Sequence, residues 1–185
     1  PATPPGEYRV EVGMYDPETG QRLTTPEGES QVWLEPLMVE RPSASAPVAS
    51  LGMQHAEGAE FGGLTLLGYD LHKLGFAHQP EAPLRPGDVL HTNLYWQAEA
   101  EPGGDWQVAL GLVDSDGREW TSVQGGPVSG YPTSDWQKGD VWRGQFNLPV
   151  PGDAPPGRYR LRVQPFAPGG RASEPFFSNP FTVER

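Results

Sequence analysis

Cysteine is absent from all 185 residues, so a disulfide framework, a CxxC redox pair and a thiolate metal site are excluded. Isoleucine is also missing, and there are two lysines against eleven arginines, a bias that speaks of G+C-rich codons and not of function. No apolar run approaches the roughly 20 residues that span a bilayer as a helix, so direct membrane insertion by this stretch of chain is not expected. The chain begins at a proline without a signal-peptide pattern and reads as a piece of a longer protein. Basic residues number 13 against 24 acids, giving a formal net charge of -11 and an isoelectric point near 4.7. Such a chain is repelled by phosphate backbones, which argues against a nucleic-acid partner.

Proline and glycine, by contrast, are abundant, at 22 and 24 residues. They seldom leave room for an uninterrupted long helix. They fall between apolar runs instead of forming tracts, and six Trp, six Tyr and seven Phe are too many for a chain that buries nothing. An all-β domain with many turns is what remains.

An internal repeat organises the chain. Pro4-Pro5-Gly6-Glu7-Tyr8-Arg9-Val10-Glu11-Val12 recurs 151 positions on as Pro155-Pro156-Gly157-Arg158-Tyr159-Arg160-Leu161-Arg162-Val163, and Pro36-Leu37-Met38-Val39-Glu40-Arg41 recurs 144 positions on as Pro180-Phe181-Thr182-Val183-Glu184-Arg185. The two matches keep their order, and the loop between them is longer in the first copy. Residues 1–41 therefore read as the C-terminal hairpin of a preceding, truncated module. The small-residue connector Arg41-Pro42-Ser43-Ala44-Ser45-Ala46-Pro47 marks the boundary, residues 42–63 read as linker and lead-in, and 64–185 as a complete module. Two strands alone are marginal in water, so the hairpin is expected to dock on the complete module or to pair with a second chain as a strand-mediated dimer.

Within the complete module, short alternating runs are separated by turn signals. Strands are expected at 64–71, 89–97, 106–112, 118–124, 141–148, 158–164 and 177–183. Leu90, Thr92, Leu94 and Trp96 share one face, and His91, Asn93, Tyr95 and Gln97 share the other. The fold class is all-β: an immunoglobulin-like two-sheet antiparallel β-sandwich with an extra N-terminal β-hairpin from a preceding repeat. Pro165 cannot donate to a ladder and suggests an edge or a bulge.

The residues a catalyst would need do not assemble. His55, His72, His78 and His91 lack the close spacing that puts two ligands on one metal, so no metal or cofactor is assigned. Asp114-Ser115-Asp116-Gly117 could open a calcium loop, but no third carboxylate or distal glutamate follows, and a hairpin turn uses the same residues. Ser129 lacks the spacing of a nucleophile elbow. Glu57 with Glu60 and Glu99 with Glu101 sit in stretches that read as solvated loops, and the glycine pairs precede no helix that could cradle a phosphate.

Binding surfaces are better represented. The face His91, Asn93, Tyr95, Gln97 mixes an aromatic ring with amides, as sugar-binding faces do, and next to a strand carrying Gln107, Ala109 and Gly111 it would leave the Tyr95 ring uncovered; an ordinary wet sheet face is the competing account. In the loop Tyr131-Pro132-Thr133-Ser134-Asp135-Trp136, Tyr131, Asp135 and Trp136 are a second candidate, unless Trp136 simply plugs the end of the sandwich. Arg158, Arg160 and Arg162 alternate with apolar residues and form a row that either recognises an anionic polymer or pairs with acids of the protein itself.

The segments Leu66-Leu67-Gly68-Tyr69-Asp70-Leu71, Arg85-Pro86-Gly87-Asp88, Leu94-Tyr95-Trp96-Gln97-Ala98, Leu112-Val113-Asp114, Pro132-Thr133-Ser134-Asp135-Trp136 and Pro155-Pro156-Gly157-Arg158-Tyr159-Arg160-Leu161 together resemble the C-terminal extracytoplasmic β-sandwich modules of Chloroflexota-type membrane glycosyltransferase-like proteins. Residues 4–23, ending Tyr15-Asp16-Pro17-Glu18-Thr19-Gly20-Gln21-Arg22-Leu23, resemble the end of such a module. A looser similarity is to the immunoglobulin-like polysaccharide-binding domain of O-antigen exporters. The resemblance implies an extracytoplasmic place, attached to the cell membrane in the full-length protein, with no catalytic residues here, because the transferase chemistry would lie in a membrane part. It further implies neighbouring repeat modules and a carbohydrate polymer as partners, or else a structural spacer or protein–protein interaction module.

Overall fold

The computed structural model describes residues 2–16 and 21–185. Pro17-Glu18-Thr19-Gly20, part of the family-like segment, lie outside the described residues. The chain divides into two compact units, one formed by Thr3–Pro42 and the other by Ser43–Arg185 together with Ala2.

The smaller unit is a hairpin. β1 (Gly6–Tyr8) pairs with β4 (Leu37–Val39), and β2 (Glu11–Val12) pairs with β3 (Val32–Trp33), all antiparallel. The amide of Leu34 donates to the Val10 carbonyl at 3.0 Å and links the two short ladders. The Tyr8 hydroxyl donates to the Pro4 carbonyl oxygen at 2.8 Å, fixing the entry to β1.

The larger unit is an all-β sandwich of two antiparallel sheets. Its strands are β5 (His55–Glu60), β6 (Leu64–Lys73), β7 (Val89–Ala98), β8 (Gln107–Asp114), β9 (Glu119–Gly125), β10 (Val141–Pro149), β11 (Gly157–Phe166), β12 (Phe176–Phe177) and β13 (Phe181–Val183). One sheet runs β10-β7-β6-β5. The other runs β12-β11-β8-β9, with β13 also on β11. The region read as lead-in contributes β5, whose sequence HAEGAE lacks apolar alternation and so gives no strand signal. It is admitted by Gly68, where a Cβ would meet the His55 carbonyl oxygen.

The alternation read in β7 and β8 sets the core. Leu90, Leu94 and Trp96 face Trp106, Val108, Leu110 and Leu112, and Tyr159, Leu161 and Val163 of β11 join them. Each such aliphatic side chain contributes about 1.5–3 kcal/mol by leaving water. β11 runs through Pro165 opposite Val108 without a register shift, so no bulge forms there. Past the end of β12, the Pro165 carbonyl accepts from the Ser173 amide at 2.9 Å.

The expected last strand, 177–183, is instead two short pieces. Pro180 has no N–H to give, and Ser178 fills the gap: its amide donates to the Leu161 carbonyl and its Oγ accepts from the Leu161 amide, both at 2.9 Å.

The repeat has the same geometry in both copies. Gly6, Glu7 and Tyr8 pair with Val39, Met38 and Leu37 just as Gly157, Arg158 and Tyr159 pair with Val183, Thr182 and Phe181. The Tyr159 hydroxyl donates to the Pro155 carbonyl at 2.7 Å, as Tyr8 does to Pro4. The surroundings differ: Leu161 and Val163 are fully buried, whereas their counterparts Val10 and Val12 are 41% and 46% exposed.

Two glycines separate rigid from yielding neighbours. A Cβ on Gly144 of β10 would run into the Pro127 carbonyl oxygen, which is backbone, while one on Gly111 of β8 would meet only the end of the Glu119 side chain. Gly144→Ala should therefore cost about 3 kcal/mol in chemical denaturation and Gly111→Ala clearly less. Equal losses would contradict this reading of the packing.

Candidate functional site

The face carrying His91, Asn93, Tyr95 and Gln97 is the outer face of the four-stranded sheet, but it does not leave an aromatic ring free. The neighbours of β7 are β6 and β10, and the strand with Gln107, Ala109 and Gly111 lies in the other sheet. Tyr95 is 4% exposed and packs in a small apolar cluster with Ala2, Leu51, Leu67 and Val141. Its hydroxyl donates to Asp70 Oδ2 at 2.8 Å, and Asn93 Nδ2 donates to the same oxygen at 2.9 Å. Asp70 Oδ1 accepts from the Gln54 amide at 2.9 Å. The expectation of an uncovered Tyr95 is thus corrected: a buried carboxylate draws the hydroxyl down, and the segment before β5 closes over the ring.

Further along this face, Gln145 Nε2 donates to Asn93 Oδ1 at 3.3 Å, and His91 Nδ1 is 2.7 Å from Asn147 Oδ1. His91 also meets His72, a pair that the sequence hides because cross-strand register, not spacing, makes them neighbours; their ring centroids are 4.9 Å apart. Burial, and then the nearby His91, lower the pKa of His72 below the usual imidazole range. Gln97 stands opposite Thr65 and Val141.

The loop candidate is a plug. Trp136 is 2% exposed in the core, and its indole N–H donates to the Tyr131 carbonyl at 3.3 Å. Tyr131 is half-buried, edge-on to Trp142 with centroids 5.4 Å apart, and its hydroxyl donates to the Asp135 carbonyl at 3.3 Å. Thr133 Oγ1 accepts from the Trp106 amide at 2.8 Å and donates to the Gly104 carbonyl at 2.9 Å, anchoring a one-turn 3-10 helix, Thr133–Asp135. Asp135 is exposed beside a recess of about 420 Å³ that also borders Glu101 and Trp136, but the buried indole presents no stacking face to it. Of the two accounts of Trp136, the stacking candidate is corrected and the plug is what the structure has.

The arginine row divides. Arg162 pairs with Glu119 at 2.5 Å, over the bare backbone of Gly111. Arg158 and Arg160 have no side-chain hydrogen bond or ion pair among the described residues. They line a groove of about 400 Å³ with Val113, Asp114, Phe177 and Pro180. Phe177 is 42% exposed. At the groove's end Asp114 organises the β8–β9 hairpin: Oδ1 accepts from the amides of Asp116 and Arg118, both at 2.9 Å, and Oδ2 from the Trp120 indole at 2.8 Å. The indole bond, with the amides, holds this carboxyl below the usual carboxylate range. Its oxygens are committed to a turn and not to a cation. No group of three or more His, Asp or Glu suited to a metal ion occurs among the described residues.

No protein-family model and no curated protein sequence matches the chain. Among solved structures, the C-terminal domain of Wzt is similar with a TM-score of 0.51 at 20% identity, over 70% of this chain and 77% of that one. The ApaA protein from Bordetella pertussis is similar with a TM-score of 0.36 at 17% identity, over 65% of this chain and 91% of its own. The first likeness is one of fold, the immunoglobulin-like sandwich.

Tyr95 generates a pH test. Burial, and then the bond to Asp70, push its hydroxyl from the ordinary 10.0 up to about 12. Folding favours the protonated form, so this stabilisation is complete below pH 10 and disappears as the pH climbs towards 12. Tyr95→Phe should lose about 1 kcal/mol at neutral pH and show a shallower decline of stability in the alkaline range than the parent. Parallel declines would rule out Tyr95 as the titrating group.

Proposed function

We propose that this chain is a non-catalytic, extracytoplasmic accessory module of a bacterial membrane-bound glycosyltransferase-like protein and that it holds envelope glycan for the attached enzyme. One observation carries the glycan reading: the groove beside β11 sets the exposed ring of Phe177 and the ring of Pro180 against polar and charged side chains, in an open trough on a rigid sheet. Sugars offer a C–H face that stacks on such rings and hydroxyls that bond to flanking polar groups. The family resemblance of the sequence and the sandwich fold support this reading.

A second reading, the spacer, draws on the repeat. Both copies share one pairing register, and Val10 and Val12 are exposed where Leu161 and Val163 are buried, which suits a hairpin that completes the core of a preceding module. A chain of such modules would hold its neighbours at a set distance from the membrane, with the same exposed strands available for a strand-mediated dimer.

The two readings part in one experiment. A glycan array followed by titration calorimetry should find a bound bacterial polysaccharide, and Phe177→Ala should weaken it about five- to tenfold. Absence of binding across neutral and charged glycans, with Phe177→Ala silent, would leave the spacer.

A further inference from the structure

We infer that the ligand of this groove is an acidic glycan, and that Arg158 and Arg160 hold the carboxylate of a uronic acid while its ring lies against Phe177 and Pro180. This rests on the glycan-binding reading above and adds the chemical class to it.

The charges of the row set the inference. The protein has 24 acids against 13 bases, and within the row Arg162 has found Glu119. Arg158 and Arg160 have not. Their cross-strand neighbours are neutral, Thr182 opposite Arg158 and Val113 opposite Arg160. The nearest acid lining the groove, Asp114, has both oxygens engaged by N–H donors. Outward positions two residues apart on a strand stand roughly 7 Å from each other, so the two cations repel, and an oxyanion between them relieves the repulsion. A guanidinium also offers a planar fork that matches a carboxylate.

The other copy of the repeat supplies the contrast. At the equivalent positions the hairpin has Glu7, Arg9 and Glu11, with Arg9 at 3.8 Å from Glu7 and Arg22 at 3.1 Å from Glu11. There the same scaffold neutralises its own outer row. In the complete module two cations of the row have no ion pair among the described residues, and they face a groove that also carries an exposed aromatic ring.

The test is calorimetric titration of the 185-residue chain with short oligogalacturonates, using their methyl esters as uncharged controls of the same shape. The acid should bind, the ester about tenfold more weakly or worse, and affinity should fall as salt is added. Arg158→Gln and Arg160→Gln should each weaken the acid about tenfold or more at unchanged melting temperature, and Arg160→Lys, which keeps the charge without the fork, should fall between. Equal binding of acid and ester would overturn the acidic class while leaving a glycan-binding module. Displacement by polyphosphate, with Phe177→Ala silent, would reduce the groove to a bare anion site and overturn the sugar. No binding of the acid would overturn the inference alone, since the neutral glycans of the array judge the broader reading.

Discussion

The bond from the Tyr159 hydroxyl to the Pro155 carbonyl sets the strand on which the larger unit is organised. Pro155 and Pro156 bring the chain in stiffly, and the tyrosine reaches back four residues to hold the corner. From that point β11 has one allowed alternation. Tyr159, Leu161 and Val163 turn into the core, and Arg158, Arg160 and Arg162 turn out. A slip by one residue would bury three guanidinium groups and expose the centre of the core, which no pairing could offset. β11 is also the strand that meets β8 on one side and both β12 and β13 on the other. The hydroxyl thus ties the corner to a strand whose alternation places the core face and the charged row together.

Much of this was legible in the sequence because it rests on period and punctuation. The inner faces of β7 and β8 follow from alternation, and the hairpin at Asp114–Gly117 follows from its carboxylate and glycine. What stayed hidden depends on which strands are neighbours. An uncovered Tyr95 requires the small residues Gln107, Ala109 and Gly111 as neighbours, but their strand lies in the other sheet, and the cover comes from Ala2, Leu51 and Leu67, distant in the chain. Its partner Asp70 could have been suspected, being a carboxylate inside an apolar run. Likewise β5 carries no apolar pattern and forms because Gly68 leaves room for its backbone. The stripe of arginines was visible, but its division into one paired and two unpaired members was not, since Glu119 reaches Arg162 only over a strand that lacks a side chain at Gly111.

The groove itself comes from an interruption. The chain from Phe176 to Val183 pairs with β11 as two short pieces, β12 at Arg162 and Val163 and β13 at Gly157 to Tyr159, and not as one continuous strand. Pro180 has no N–H with which to continue the ladder, and Ser178 stabilises the break by satisfying both the amide and the carbonyl of Leu161 through its own backbone and hydroxyl. The ladder therefore stays complete in hydrogen bonds while it opens in shape. Phe177 and Pro180 stand on either side of this break, next to Arg158 and Arg160, so the feature that costs the sheet its regular edge is the one that supplies an apolar wall beside two cations. A turn or loop could present the same groups, but only with the looseness of a loop. Here the arginines sit on a strand whose opposite face, Tyr159, Leu161 and Val163, is buried in the core, which lets them hold a ligand without first being ordered by it.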